Sequence, residues 1–176
     1  MRLDTKLVHT GEDKVRSRGA VAPPIYQTAT FSSQPGESYD EIRYARLNNT
    51  PNHNAVHEKI ASIVGGEACV VTGSGMAAIS TVLLTVLEAG DHLLVQDCLY
   101  GGTHSLVVEE LRDAGISHST ICGRDPRAWE TTLTSDTKAI YVESITNPTL
   151  DVACLKEAAE FAAANGLVSL IDNTFC

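Results

Sequence analysis

Two rhythms of apolar and polar positions run through the chain from about residue 51 onward. Short apolar runs rich in β-branched residues suit buried strands, and longer stretches with apolar residues three and four apart suit helices. Ala55 to Val64 predicts an amphipathic helix closed by Gly65-Gly66. Cys69-Val70-Val71 predicts a buried strand, Gly73-Ser74-Gly75 breaks it, and Met76 to Glu88 continues as a mainly apolar helix. Gly90-Asp91 turns the chain into strand His92 to Gln96. Thr103 is placed to cap a helix over Leu106 to Asp113, which Gly115 ends before strand Ile116 to Ile121. Asp125-Pro126 supplies an N-cap and an N1 proline for a helix burying Trp129 and Leu133. Strand Ala139 to Val142 follows. A helix with Leu155, Ala158, Ala159 and Ala162 on one face is closed by Gly166, and strand Leu167 to Ile171 comes last.

Strands and helices alternating at this spacing imply parallel βαβ units with right-handed crossovers. The expected fold class is α/β, a three-layer sandwich on a mainly parallel sheet. Residues 1–50 differ, with punctuation but little periodicity. Pro23-Pro24 forces extended backbone and Gln34-Pro35-Gly36 marks a turn. An arm lying on another surface, such as a second subunit, explains this stretch better than an independent domain. The expected organisation is therefore an N-terminal arm over 1–50 and an α/β domain over 51–176.

Composition narrows the function. At 176 residues and 43% hydrophobic the chain can bury a core, and 22 acidic against 13 basic residues leave a net charge of −9. A phosphate-backbone partner needs a basic face, so nucleic acid is not an expected partner. The polar start lacks a signal-peptide apolar stretch, and the longest apolar run, around Ile79 to Leu87, is too short to span a bilayer. The expected location is cytoplasmic. Five scattered cysteines without a C-x-x-C pair fit reduced thiols. His53 and His57 have helical i,i+4 spacing but lack the H-E-x-x-H glutamate and a third ligand, so no metal is expected.

Strand, glycine turn and helix together make an anion cradle, because the first helix N–H groups are unpartnered and lie at the positive end of the helix dipole. The local pattern fits two ligands. One is a simple phosphate. The other is a dinucleotide, since Gly73-Ser74-Gly75-Met76-Ala77-Ala78 satisfies G-x-G-x-x-A and Asp97 ends the next predicted strand. Arg46 has the fork that suits a phosphate, and Tyr44 would point the same way if the segment were extended. Ser74, Asp97 with Tyr100, Glu143 with Asn147, and Asp172 with Thr174 each follow the carboxyl end of a predicted strand, where open parallel sheets bind ligands. Singly, these residues also suit ordinary loop, cap and turn positions.

Their joint order resembles the Cys/Met-metabolism family of pyridoxal-phosphate enzymes, which includes cystathionine γ-synthase and the cystathionine γ- and β-lyases. The resemblance runs from Val21-Ala22-Pro23-Pro24-Ile25 through Tyr44-x-Arg46, Thr72-Gly73-Ser74-Gly75-Met76, Tyr100-Gly101-Gly102-Thr103 and Glu143-x-x-x-Asn147-Pro148 to Asp172-Asn173-Thr174-Phe175. It implies the large domain of the fold-type I pyridoxal-phosphate transferases. It also implies that Gly75 and Met76 amides hold the cofactor phosphate, completed by Tyr44 and Arg46 from a neighbouring subunit of a homo-oligomer, a dimer of dimers. Tyr100 would stack on the pyridine ring as the catalytic residue of this chain, Asp172 would pair with the ring nitrogen, and Asn147 would bond the ring oxygen. Glu143 would support them. The implied substrates are sulfur amino acids. Gly101 stands where methionine γ-lyases carry a cysteine, which disfavours that member.

The family's Schiff-base lysine has a Ser-x-Thr-Lys context that none of Lys6, Lys14, Lys59, Lys138 and Lys156 shows. The resemblance thus implies the amino-terminal part of an enzyme, inactive alone, with a sheet left partly uncovered and apolar surface exposed. Two rivals remain: a nicotinamide-dependent dehydrogenase using Gly73-Ser74-Gly75, and a non-catalytic remnant that assembles with full-length partners.

Overall fold

The computed structural model describes residues 1–12, 19–39 and 41–176, so Lys14 and short parts of the expected arm lie outside the described residues. The chain divides into two compact units, 1–72 and 73–176.

The first unit holds helix α1 (Leu3–His9), a 3-10 turn at Ala45–Leu47 and helix α2 (Pro51–Val64). Pro51 opens α2 where no helical N–H is needed, and Gly65 ends it at φ 71°. Helix α1 falls inside the stretch read as irregular. It is held on α2 by tertiary contacts: Lys6 Nζ donates to the Ser62 carbonyl at 2.7 Å and Lys59 Nζ to that of Val8 at 3.3 Å. A Cβ on Gly11, which has φ +78°, would run into the Ala55 carbonyl oxygen. The extended Pro23-Pro24 stretch is anchored as well, because the Asn52 side-chain amide exchanges hydrogen bonds with the Tyr26 backbone at 3.1 and 2.9 Å.

Cys69-Val70-Val71 forms no strand, contrary to the sequence expectation. Apolar, β-branched residues mark a strand only where a neighbour supplies a ladder. Here the Val71 carbonyl accepts from the Asn48 side chain at 2.7 Å, and Val70 is exposed.

The second unit is a four-stranded parallel sheet ordered β2-β1-β3-β4, from β1 (His92–Gln96), β2 (Ser117–Ile121), β3 (Thr137–Glu143) and β4 (Val168–Asp172). Helix α3 (Gly75–Val86) leads into β1; α4 (Gly101–Ser105, continuing through a π-helical segment Leu106–Leu111), a 3-10 helix at Pro126–Thr132 and α5 (Leu155–Ala164) connect the successive strands. Thr103 is not the cap of its helix. It is buried inside α4, and Tyr100 takes the N-cap position.

Two cores lie on opposite faces of the sheet, as the two-residue period of a strand requires. Leu93, Val95, Ala139 and Tyr141 pack with Leu83, Leu87, Val107 and Leu111 on one side. Leu94, Ile140 and Val142 pack with Trp129, Ala158 and Ala162 on the other. The result is the expected α/β three-layer arrangement. Central strand β1 is buried throughout and correspondingly apolar, whereas edge strand β4 leaves Val168 and Ile171 exposed. The strand order reverses between β1 and β3, which makes their carboxyl ends the ligand crevice of an open parallel sheet.

Candidate functional site

A cavity of ≈ 410 Å³ opens at that crevice, lined by Ser74, Gly75, Met76, Ile79, Tyr100, Glu143, Ile145, Asn147, Asp172, Thr174 and Phe175. Eight residues singled out from sequence thus share one cavity: Ser74, Gly75, Met76, Tyr100, Glu143, Asn147, Asp172 and Thr174.

Its first wall is the N-terminus of α3. Ser74 caps the helix, its Oγ accepting the Ala77 N–H at 3.0 Å. The Gly75 and Met76 amides, ahead of it in the first turn, are placed to meet an anion. Gly75 has no left-handed φ, and a Cβ placed on it would meet nothing within 4 Å. Neither backbone conformation nor protein packing demands glycine there. A bare backbone facing a cavity suits a ligand that must come close.

The second wall is a network across the sheet edge. Gln96, ending β1, accepts the Glu143 N–H at 2.8 Å. The Glu143 carboxylate accepts the Tyr100 N–H at 2.7 Å through Oε1 and the Asn147 N–H at 3.2 Å through Oε2. One buried side chain therefore fixes both loops that carry ring-facing candidates. Burial pushes the Glu143 carboxyl above its ordinary value, the Tyr100 and Asn147 amides partly offset this, and the Asp172 charge adds to the rise. Tyr100 is closely backed on its own loop: a Cβ on Gly102 would lie 2.7 Å from Tyr100 Cε1 and 2.9 Å from Met76 Sδ.

The third wall is the end of β4. Asp172 accepts the Thr174 N–H at 3.0 Å and the Thr174 hydroxyl at 2.5 Å through Oδ1, and the Tyr141 hydroxyl at 2.9 Å through Oδ2. Sequence reasoning missed Tyr141, which reads as core inside an apolar strand. The available signal was its position two residues before Glu143, on the same face of β3.

The cavity is bipolar. Unpartnered amides and a helix dipole favour an anion at one end, and two carboxylates favour a cation at the other. That donor set fits pyridoxal phosphate, which carries a phosphate at one pole and a protonatable ring nitrogen at the other.

Tyr44 and Arg46 belong to the first unit. Their segment is not extended as expected. Tyr44 N-caps the 3-10 turn, and the Arg46 guanidinium lies 4.7 Å from the Tyr44 ring centroid. The Asn48 that closes this turn in the left-handed region explains why an extended register fails. Asp97 is exposed and is absent from the cavity lining. Among the described residues no group of three or more His, Cys, Asp or Glu could hold a metal ion. No helix among them is long and apolar enough to cross a membrane.

Fold and site together define an α/β unit with a cavity at the carboxyl edge of a parallel sheet. The family model for Cys/Met metabolism PLP-dependent enzymes matches residues 4–176, and the chain belongs to that family. It is 38% identical over 173 residues to cystathionine beta-lyase MetC of Bacillus subtilis, covering 98% of this chain and 44% of that protein. It is 34% identical over 181 residues to L-methionine gamma-lyase of Pseudomonas putida, covering 98% and 45%. Among solved structures, cystathionine gamma-lyase from Lactobacillus plantarum, complexed with L-serine, superimposes with a TM-score of 0.89 at 38% identity, over 99% of this chain and 45% of that one. A putative O-acetylhomoserine (thiol)-lyase from Campylobacter jejuni, carrying a pyridoxyl-lysine monophosphate, gives 0.88 at 25% identity. The chain spans less than half the length of these relatives.

Proposed function

We propose that this chain is the cofactor-holding amino-terminal part of a pyridoxal-phosphate enzyme that forms or cleaves C–S bonds at the β- or γ-carbon of sulfur amino acids. The reading rests above all on the bipolar cavity, with helix amides at one end and the Glu143–Asp172 pair at the other. When bound, pyridoxal phosphate supplies an electron sink for negative charge at the α-carbon of an amino acid. In this reading the Gly75 and Met76 amides grip its phosphate. Asp172 holds a proton on the ring nitrogen, Asn147 donates to the ring oxygen, and Tyr100 stacks on the ring. Tyr44 and Arg46 complete the phosphate site in trans within a homo-oligomer. The Schiff-base lysine and the arginine for the substrate carboxylate are assigned to the part of the relatives' length that this chain does not span, and residues 1–176 without that part would be inactive. The working location is the cytoplasm.

Sequencing the complete reading frame tests the enzymatic claim. A Ser-x-Thr-Lys downstream of Asp172 is expected, and its absence from the frame defeats that claim. Titrating the full-length protein separately with pyridoxal phosphate and NAD tests the cofactor: tight NAD binding without pyridoxal phosphate binding would favour the dehydrogenase using Gly73-Ser74-Gly75. Co-purification with an intact homologue, without cofactor absorbance, would favour the non-catalytic remnant.

A further inference from the structure

Asp172 is held by three donors, and one of them comes from a different strand. Thr174, two residues along, donates to Oδ1 from its amide and hydroxyl, contacts that any local turn provides. The Tyr141 hydroxyl donates to Oδ2 from β3, 31 residues away. Its placement follows from the sheet: Tyr141 pairs with Leu170 and Glu143 with Asp172, so phenol and carboxylate are diagonal neighbours on one face. Tyr141 is 4% exposed and packs in the core between the sheet and α3. A buried hydroxyl costs stability unless it is bonded, which fixes its orientation toward Asp172.

We propose that Tyr141 is a positioning residue that sets the orientation of Asp172, so that the carboxylate faces the cofactor's ring nitrogen and keeps the proton there. The inference rests on the pyridoxal-phosphate reading above. A neutral donor to Oδ2 holds the carboxylate in place without adding positive charge that would repel the protonated ring. Lysine or arginine in the same place would neutralise Asp172 and compete with the ring. Burial, together with the neighbouring Asp172 charge and the bond to it, pushes the Tyr141 phenol above its ordinary value, so it stays a donor across the physiological range. Without the phenol, Oδ2 loses its cross-strand donor, and the carboxylate can turn away from the ring nitrogen and leave its proton unsupported.

The experiment compares the full-length wild type with Tyr141→Phe, each loaded with pyridoxal phosphate labelled with 15N in the ring. In wild type the ring-nitrogen resonance is expected in the protonated range. In Tyr141→Phe it is expected to move toward the unprotonated range, with cofactor affinity about tenfold weaker, the scale of one lost hydrogen bond to a charged group. An unchanged resonance in a variant that binds the cofactor overturns the inference alone. Failure of the wild type to bind pyridoxal phosphate overturns the cofactor reading and this inference with it. A second measurement does not depend on the variant folding. Site-specific 3-fluorotyrosine at position 141 should change its 19F resonance on addition of pyridoxal phosphate but not of inorganic phosphate, which reaches only the helix end of the cavity. Equal responses to both would overturn the proposal.

Discussion

Glu143 and Asp172, the last residues of adjacent parallel strands, sit opposite one another in register, and both line the same cavity. Two carboxylates at that spacing repel, and the structure separates their tasks. Glu143 is buried and spends both oxygens on backbone amides. Asp172 is less buried, and its oxygens accept from hydroxyls and from the Thr174 amide. Protein-internal support falls to the first, and ligand contact is proposed for the second.

Glu143→Gln separates support from charge. A glutamine has one acceptor oxygen where the carboxylate has two, so one of the Tyr100 and Asn147 amides loses its partner. A cost of about 1–3 kcal/mol follows from leaving a buried donor unpaired. The pH dependence has a definite sign. The carboxyl is raised in the folded protein, so the native state holds its proton more tightly than the unfolded chain. Its contribution is fully present below the unfolded value and is lost as pH rises through the folded one. Urea midpoints of wild type should therefore fall relative to Glu143→Gln as pH rises above the ordinary carboxylate range. Parallel curves would show that Glu143 does not titrate there.

Asp172→Asn should leave the fold intact and weaken pyridoxal phosphate. The amide can still accept from Tyr141 or Thr174 through its oxygen, but it offers no charge to a protonated ring nitrogen. Losing a charge-assisted hydrogen bond of about 1.5–3 kcal/mol corresponds to roughly ten- to hundredfold weaker binding. Equilibrium titration of cofactor absorbance reads this directly, and inorganic phosphate binding should be unaffected.

The elements legible in sequence are those whose signal is local. The βαβ alternation, the glycine turn Gly73-Ser74-Gly75, and the polar residues after strand ends all follow from period and punctuation. What escaped depends on partners distant in the chain. Cys69-Val70-Val71 has strand composition without a ladder. Helix α1 is too short to announce itself and is held by contacts from α2. Arg46 folds back over Tyr44 through a turn that Asn48 closes, and no alternation pattern encodes that. Tyr141 is the sharpest case. Among β-branched neighbours it scores as core, and it is core, yet its hydroxyl reaches the site across a strand pairing invisible in a single sequence.

Gly102→Ala should separate stability from binding. Alanine is favoured over glycine inside a helix by about 1 kcal/mol, whereas the new methyl would crowd Tyr100 Cε1 and Met76 Sδ. Both are side-chain atoms, and Tyr100 is 47% exposed, so the ring can swing aside. Net stability should change by no more than about 1 kcal/mol. A Tyr100 ring displaced from the cavity should nonetheless weaken pyridoxal phosphate several-fold. Unchanged affinity would show that the ring position is not used by the ligand.

Ser74 tests the anion end. Ser74→Ala orphans the Ala77 amide that Oγ now satisfies and should cost about 1 kcal/mol, while Ser74→Gly, whose bare backbone lets water reach that amide, should cost only a few tenths. If the cap only stabilises α3, the two variants should follow this order in urea and bind inorganic phosphate alike. If the hydroxyl also contacts the anion, both should lose phosphate affinity while keeping the stability order. The comparison of two substitutions at one atom thus distinguishes a helix cap that borders the site from one that takes part in it, and isothermal titration beside chemical denaturation supplies both axes.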